Sequence, residues 1–244
     1  PYSDYGAFFT SDESQLYFTS RRKRFEEEKI SRHDFQYFED VYGSKKSAGE
    51  WGSAVNVGKP INSADHDATA GLSNDGQQLF LFRNKKGKDG GDIYLSYLKG
   101  EKWSRPKKLP KPINSKYHET TASLSYDERT LYFISARPGG YGGRDIYRAR
   151  KNIDGDWHQI ENLGPLINSS GRIAKANDVV ELFLTQNDDK IDKISNRMNS
   201  HNLIRKKIEQ ENLDLINFKK YYSKNVIFIY NKKFHEGVIG ILAA

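Results

Sequence analysis

The side chains able to do acid–base or metal chemistry are spread thinly along the chain. Its six histidines are His33, His66, His118, His158, His201 and His235, and cysteine is absent, so disulfides and thiolate metal sites are excluded. Two-metal hydrolysis needs several carboxylates and histidines converging within a few ångströms, and this scatter supplies no such set. The expected catalytic residues, metal ligands and cofactors of this chain are therefore none. His66-Asp67 and His118-Glu119 lie 52 residues apart at one repeat position, which reads as a role in the repeat rather than as metal ligation. The Gly-rich stretches Gly87-Lys88-Asp89-Gly90-Gly91 and Gly139-Gly140-Tyr141-Gly142-Gly143 look superficially like phosphate cradles. They precede strands rather than helices and lack the Gly-Lys-Ser/Thr ending that nucleotide binding requires.

The elements that must position these groups come from a cassette present three times. An aspartate precedes an apolar alternation: Asp12 before Leu16-Tyr17-Phe18, Asp75 before Leu79-Phe80-Leu81, Asp127 before Leu131-Tyr132-Phe133. Asp-aliphatic-Tyr follows (Asp40-Val41-Tyr42, Asp92-Ile93-Tyr94, Asp145-Ile146-Tyr147), then a tryptophan (Trp51, Trp103, Trp157) and an Ile-Asn-Ser terminator at Ile61, Ile113 and Ile167. The tryptophans are 52 and 54 residues apart, and a fixed period of this length marks an array of structural repeats. Each copy predicts four short strands with a turn at its aspartate, where Asp can bond its own backbone. That is the content of one propeller blade, with the tyrosines and tryptophans packing between sheets. The first copy carries an insertion, Arg21-Arg22-Lys23-Arg24-Phe25-Glu26-Glu27-Glu28-Lys29, which reads as a solvated loop or as a ligand contact.

Beyond Ser169 the repeat stops, and the expected domains are residues 1–169 and 170–244. Asp178-Val179-Val180-Glu181-Leu182-Phe183-Leu184 opens a helical stretch, and a long polar helix is predicted over about 188–218, with Ile191, Ile194, Met198, Leu203, Ile208, Leu213 and Ile216 mostly at helical spacing. Val226-Ile227-Phe228-Ile229-Tyr230 reads as a buried strand running into a helix at His235, the start of an α/β unit. The expected fold is thus mainly β, three four-stranded propeller-type blades forming an incomplete propeller, followed by a long helix and the start of an α/β domain. The net charge of +7 is compatible with an anionic partner and equally with an ordinary lysine-rich surface. No apolar run reaches the ~18 residues of a membrane span.

Asp127-Glu128-Arg129-Thr130-Leu131-Tyr132-Phe133, with Arg137-Pro138-Gly139-Gly140 and Asp145-Ile146-Tyr147, resembles the TolB-type WD-like propeller repeat. That repeat is frequent in bacterial envelope proteins, often beside a peptidoglycan-binding domain of the outer-membrane protein A type. Over residues 4–169 the resemblance implies a non-catalytic scaffold with protein or cell-wall glycan partners, in the periplasm or at the outer membrane. Propellers close with roughly four to eight blades, and three are present.

Residues 165–244 resemble a second family, the RecJ-type single-strand-specific exonucleases of the DHH phosphoesterase superfamily. The matching stretches are Asn168-Ser169-Ser170-Gly171-Arg172-Ile173, Ala176-Asn177-Asp178-Val179-Val180-Glu181-Leu182 and Phe234-His235-Glu236-Gly237-Val238-Ile239-Gly240-Ile241. The resemblance implies a connecting helix and the start of a DHH-associated nucleic-acid-binding domain, with single-stranded DNA as partner and a cytoplasmic location. Mn or Mg is implied only for a catalytic domain whose Asp-His-His signature is absent here. The nucleic-acid-binding candidates it points to are Arg172, His235, Glu236 and Gly237. Arginine forks onto phosphate and a helix N-terminus offers N–H groups to an anion, while a helix cap is the alternative role for His235. The two resemblances overlap on Ile167-Asn168-Ser169, and the chain is expected to be a fragment joining two sources. The alternative function is a piece of a RecJ-type 5′-to-3′ exonuclease without its metal domain.

Overall fold

A computed structural model of the chain describes residues 2–25, 28, 30, 35–84, 90–140, 143–173, 177–185, 187–216, 231–235 and 238. The chain divides into two compact units, Pro1–Asn162 and Leu163–Ala244.

The first unit is three consecutive antiparallel sheets, one per cassette. Blade 1 holds β1 (Asp4–Phe9), β2 (Gln15–Ser20), β3 (Asp40–Ser47), β4 (Glu50–Trp51) and β5 (Val55–Asn56). Blade 2 holds β6 (His66–Leu72), β7 (Gln78–Asn84), β8 (Asp92–Lys99), β9 (Lys102–Trp103) and β10 (Lys107–Lys108). Blade 3 holds β11 (Glu119–Leu124), β12 (Thr130–Ser135), β13 (Asp145–Lys151) and β14 (Trp157–Asn162). Each is an up-and-down meander in which sequence neighbours pair, and in blades 1 and 2 the outermost strand is split into two short pieces that pair the same neighbour. The first strands of blades 2 and 3 lie on the sheet before them: β6 packs on β1, β2 and β3, and β11 packs on β6, β7 and β8. Meanders stacked this way around their first strands are propeller-type blades.

Period-2 alternation decides which side chain faces which neighbour. On β7, Leu79 and Leu81 join Tyr94 in a core layer with Tyr17, Val41 and Ile61 of blade 1. The intervening Phe80 joins Ile93 in a second layer with Leu131, Phe133, Tyr147 and Ala149 of blade 3. The middle sheet is therefore apolar on both faces, like the interior of any stacked array. The tryptophans follow the expectation unevenly. Trp103 stands edge-on to Tyr17 at 5.6 Å and Trp157 packs on the second layer, whereas Trp51 pairs with Phe9 at 5.8 Å and is 39% exposed.

The cassette aspartates make the turns. Asp127 accepts the Arg129 N–H and the Ser125 hydroxyl; Asp75 does the same with Gln77 and Ser73, and Asp12 with Ser14 and Thr10. Each is a local Asx turn that needs nothing from elsewhere in the fold.

The second unit contributes three helices among its described residues: α1 (Gly164–Ile173), α2 (Asn177–Leu184) and α3 (Asp188–Asp214). Asn187 caps α3 by accepting the Lys190 N–H at 2.9 Å. Arg197 forks onto Asp178 at 2.6 and 2.8 Å and so ties α3 to α2. Ile191, Ile194 and Met198 are buried on α3, which packs on α1 and α2, while Leu203 farther along is 67% exposed. The long helix ends at Asp214, short of the expected 218. The third Ile-Asn-Ser, expected to close the third blade, lies inside α1 instead. In the first two copies Pro60 and Pro112 directly precede the isoleucine, but here Leu166 stands between Pro165 and Ile167. Pro165 then falls in the first helical turn, where its missing N–H costs little. The expected strand at 226–230 and the helix from 235 onward lie outside the described residues, apart from His235 and Val238.

Candidate binding cleft

The polar pairs of the repeat sort into those that join blades and those that face a cleft. Asp67 and Glu119, which follow the two repeat-matched histidines in sequence, are fully buried joints. Ser63 donates both its N–H and its hydroxyl to Asp67, and Ser115 does the same to Glu119. Arg83 donates to Asp67 and to the carbonyls of Pro60 and Ile61; Arg137 donates to Glu119 and to the carbonyls of Pro112 and Ile113. The Pro-Ile-Asn-Ser tail of one blade is thus gripped by an acid and an arginine of the next. The asparagine of the tail turns back to its own blade: Asn62 brackets Val41, and Asn114 brackets Ile93.

Two arginines of the insertion are built into the fold, while its Lys23 and Phe25 are exposed. Arg21 pairs with Glu39 at 2.8 Å. Arg24 pairs with Asp40 at 2.7 Å and donates to the carbonyls of Ser63 and Asp65 at 3.2 Å. Asp40 is 1% exposed, and burial, opposed by Asn56 and Arg24, pushes its carboxyl up to about 6.

A cleft of about 700 Å³ runs along the inner strands of all three blades. Tyr5, Gly6 and Phe8 line it from β1, Ala68 and Thr69 from β6, and Thr120 and Thr121 from β11. Phe82, Ile134 and Ile146 supply apolar wall, and Glu39, His118, Arg144 and Asp145 supply charge and hydrogen-bonding groups. The Glu39 carboxylate is held by Arg21 and by the Tyr5 hydroxyl, and the His66 Nδ1, which accepts the Glu39 backbone N–H at 3.3 Å, lies 3.1 Å from it. Burial alone would raise its carboxyl, but His66, Tyr5 and Arg21 hold it down at about 2. The Tyr5 hydroxyl moves the other way, raised by burial and then by Glu39, so it stays a donor. His118 occupies the repeat position of His66, yet its Nδ1 is buried without a hydrogen-bond partner. The cleft therefore offers a fixed anion, a phenol held as a donor and the exposed Arg144, with the unsatisfied imidazole nitrogen buried in its wall. Among the described residues no group of three or more His, Cys, Asp and Glu side chains lies close enough to hold a metal ion.

β1, β6 and β11 each sit at the end of their sheet, so within the described residues each has ladder partners on one edge alone. Part of these edges is already taken: the Asp67 N–H bonds the Glu39 carbonyl, the Thr69 N–H the Thr19 hydroxyl oxygen and the Glu119 N–H the Gly91 carbonyl, while the Gly6 carbonyl accepts the Thr69 hydroxyl. Apart from His118, Asp145 and Ile146, the lining residues carry no signal of spacing or type, because they come from three first strands and the loops between them. The signal that could have found them is positional, in that Tyr5, Ala68 and Thr120 each directly follow the acid of a first strand, Asp4, Asp67 or Glu119.

Of the nucleic-acid candidates, Arg172 lies on α1, and the His235 carbonyl accepts the Val238 N–H at 3.0 Å. Glu236 and Gly237 lie outside the described residues.

No family model and no curated protein matches the chain. Among solved structures it is similar to TolB of Acinetobacter baumannii, with 16% identity and a TM-score of 0.45 over 66% of this chain and 32% of that one. A protein of Agrobacterium tumefaciens assigned as TolB shows 17% identity and a TM-score of 0.35, over 67% of this chain and 62% of that one. The periplasmic gluconolactonase PpgL of Pseudomonas aeruginosa shows 15% and 0.36, over 59% and 38%. The chain spans less than two thirds of each of these proteins, and about a third of the A. baumannii TolB.

Proposed function

We propose that the blades form a non-catalytic binding module that takes an extended segment of a protein partner into the inner cleft. The observation that carries this reading is the set of three one-sided strands, β1, β6 and β11, bordering a cleft with an apolar wall. An unpaired strand edge is a template for an added strand, whose backbone bonds give affinity while side-chain pockets give selectivity. Thr121 and Arg144, both exposed, stand with His118 where such a segment would present its polar groups. The envelope scaffold implied by the TolB-type resemblance fits this use, with cell-wall glycan as the competing ligand.

Selection of a random linear peptide library on the intact chain tests it. Enriched peptides are expected to lose binding at least tenfold on Thr121→Trp, which fills the cleft from an exposed position on β11, and to weaken on His118→Ala. No enrichment, or enrichment indifferent to both changes, would overturn the reading, and saturable binding of soluble peptidoglycan fragments with the same sensitivity would transfer the cleft to glycan.

For residues 165–244 the RecJ-type resemblance supplies the alternative reading, in which Arg172, His235, Glu236 and Gly237 contact single-stranded DNA. It rests on sequence resemblance alone. A gel shift with a single-stranded oligonucleotide, lost on Arg172→Ala together with His235→Ala, is the outcome it requires.

A further inference from the structure

Both blade junctions use one grip, and its receiving half is present a third time at the outer face of blade 1. Register makes the equivalence plain: Asp4 lies opposite Ser20, Asp67 opposite Arg83, and Glu119 opposite Ser135. The Ser20 hydroxyl donates to Asp4 at 2.6 Å, just as the Ser135 hydroxyl donates to Glu119 at 2.6 Å. Two residues past each serine stands an arginine. Arg22 pairs with Asp4 at 2.9 Å and lies 5.5 Å over Phe18 and 5.4 Å over Tyr42. Arg137 pairs with Glu119 at 3.4 Å and lies 5.1 Å over Phe133 and 5.0 Å over Tyr147.

What differs is the tail. Arg137 also holds the Pro112 and Ile113 carbonyls, and Glu119 holds Ser115 twice, which leaves the Glu119 side chain 0% exposed. The Asp4 side chain is 40% exposed and Arg22 31%. The third terminator of this chain is committed elsewhere, since Ser169 donates its hydroxyl to the Leu166 carbonyl inside α1.

We infer that the outer face of blade 1 is a receptor for the Pro-Ile-Asn-Ser tail of a further blade of this repeat type, carried by another polypeptide segment and seated on Asp4 and Arg22. The incoming serine donates to Asp4, and the two carbonyls ahead of its asparagine accept from Arg22. A carboxylate with room for two more donors and a guanidinium stacked in place are a preformed half-site, so seating a tail orders little that is not already ordered. This site is separate from the inner cleft and does not rest on what the cleft binds.

The probe is a fluorescent peptide with the sequence of residues 107–117, Lys-Lys-Leu-Pro-Lys-Pro-Ile-Asn-Ser-Lys-Tyr, titrated into the full chain and followed by anisotropy. Saturable binding is expected, weakened at least tenfold by Asp4→Ala in the protein or Ser115→Ala in the peptide, and unchanged by Lys46→Ala. A second measurement serves for a peptide too weakly ordered to bind on its own. A copy of residues 64–115 joined ahead of Tyr2 presents the tail at an effective concentration in the millimolar range, and the melting midpoint should rise, with the rise abolished by Asp4→Ala. Failure of both measurements, or binding and stabilisation that ignore Asp4→Ala, would overturn the inference.

Discussion

Asn62 brackets Val41: its side-chain oxygen accepts the Val41 N–H at 2.8 Å and its amide donates to the Val41 carbonyl at 2.9 Å. Asn114 does the same to Ile93, with both bonds at 2.8 Å. Truncating either side chain leaves a buried donor and acceptor unsatisfied at a strand that also carries the core, a loss of about 2–3 kcal/mol. The same residue in the third copy, Asn168, is exposed on α1, where alanine is the better helix former. Chemical denaturation should therefore separate Asn62→Ala and Asn114→Ala, both strongly destabilising, from Asn168→Ala, neutral or slightly stabilising. Equal losses at all three positions would show that the third tail is also a blade tail.

Gly71 sits where the inner strands of blades 2 and 3 come closest. A Cβ there would stand 1.9 Å from the Ala122 carbonyl oxygen, a backbone atom that cannot swing aside. Gly71→Ala should cost about 3 kcal/mol or more by forcing the two strands apart. Gly139, at φ +88° with nothing within 4 Å of its added carbon, should cost only about 1 kcal/mol from backbone strain. Thermal melts of the two variants check the ordering.

Asp40 makes the stability of blade 1 depend on pH in an unusual sense. Its folded-state carboxyl, raised mainly by burial, titrates at about 6, against 3.8 for an ordinary aspartate. The folded chain thus holds this proton more tightly than the unfolded chain does, so the contribution is fully present below about 4 and is lost as pH rises through about 6. Asp40→Asn keeps the shape and removes the titration. The stability difference between the variant and the parent should shift in favour of the variant between pH 4 and pH 6 and then level off. A difference that is flat across this window would mean that Arg24 keeps Asp40 ionised throughout.

What the sequence discloses follows the range of the interaction. The turns at Asp12, Asp75 and Asp127 were legible because an Asx turn closes within two residues. The helix from Asp188 was legible because its apolar spacing is local, and Ile191, Ile194 and Met198 are indeed its buried face. The grips on Asp67 and Glu119 were not, since each unites a tail, a first strand and an arginine 16–18 residues farther along. The residues read for chemistry, His66 and His118, share a repeat position, yet one is tied to Glu39 and the other lines the cleft with a bare Nδ1. Sequence equivalence could not separate them, because Glu39 belongs to the insertion-bearing stretch of blade 1 alone. Around Ile167-Asn168-Ser169 the third copy departs from the others by one intervening leucine, a difference too small for a repeat pattern to register.

The two units should unfold as separable events, and the tryptophans make this measurable. Trp51, Trp103 and Trp157 all lie in the first unit, so tryptophan fluorescence reports the blades, while helical circular dichroism reports α1 to α3. Met198 is 0% exposed on α3, and trimming such a side chain to alanine costs about 2–5 kcal/mol through lost burial and a residual cavity. Met198→Ala should lower the midpoint of the dichroism transition while leaving the fluorescence transition in place. Phe80→Ala, which empties the layer between blades 2 and 3, should do the reverse. Should either variant move both transitions together, the helices and the blades would constitute a single cooperative unit, and the fluorescence signal would then be reading α3 as well.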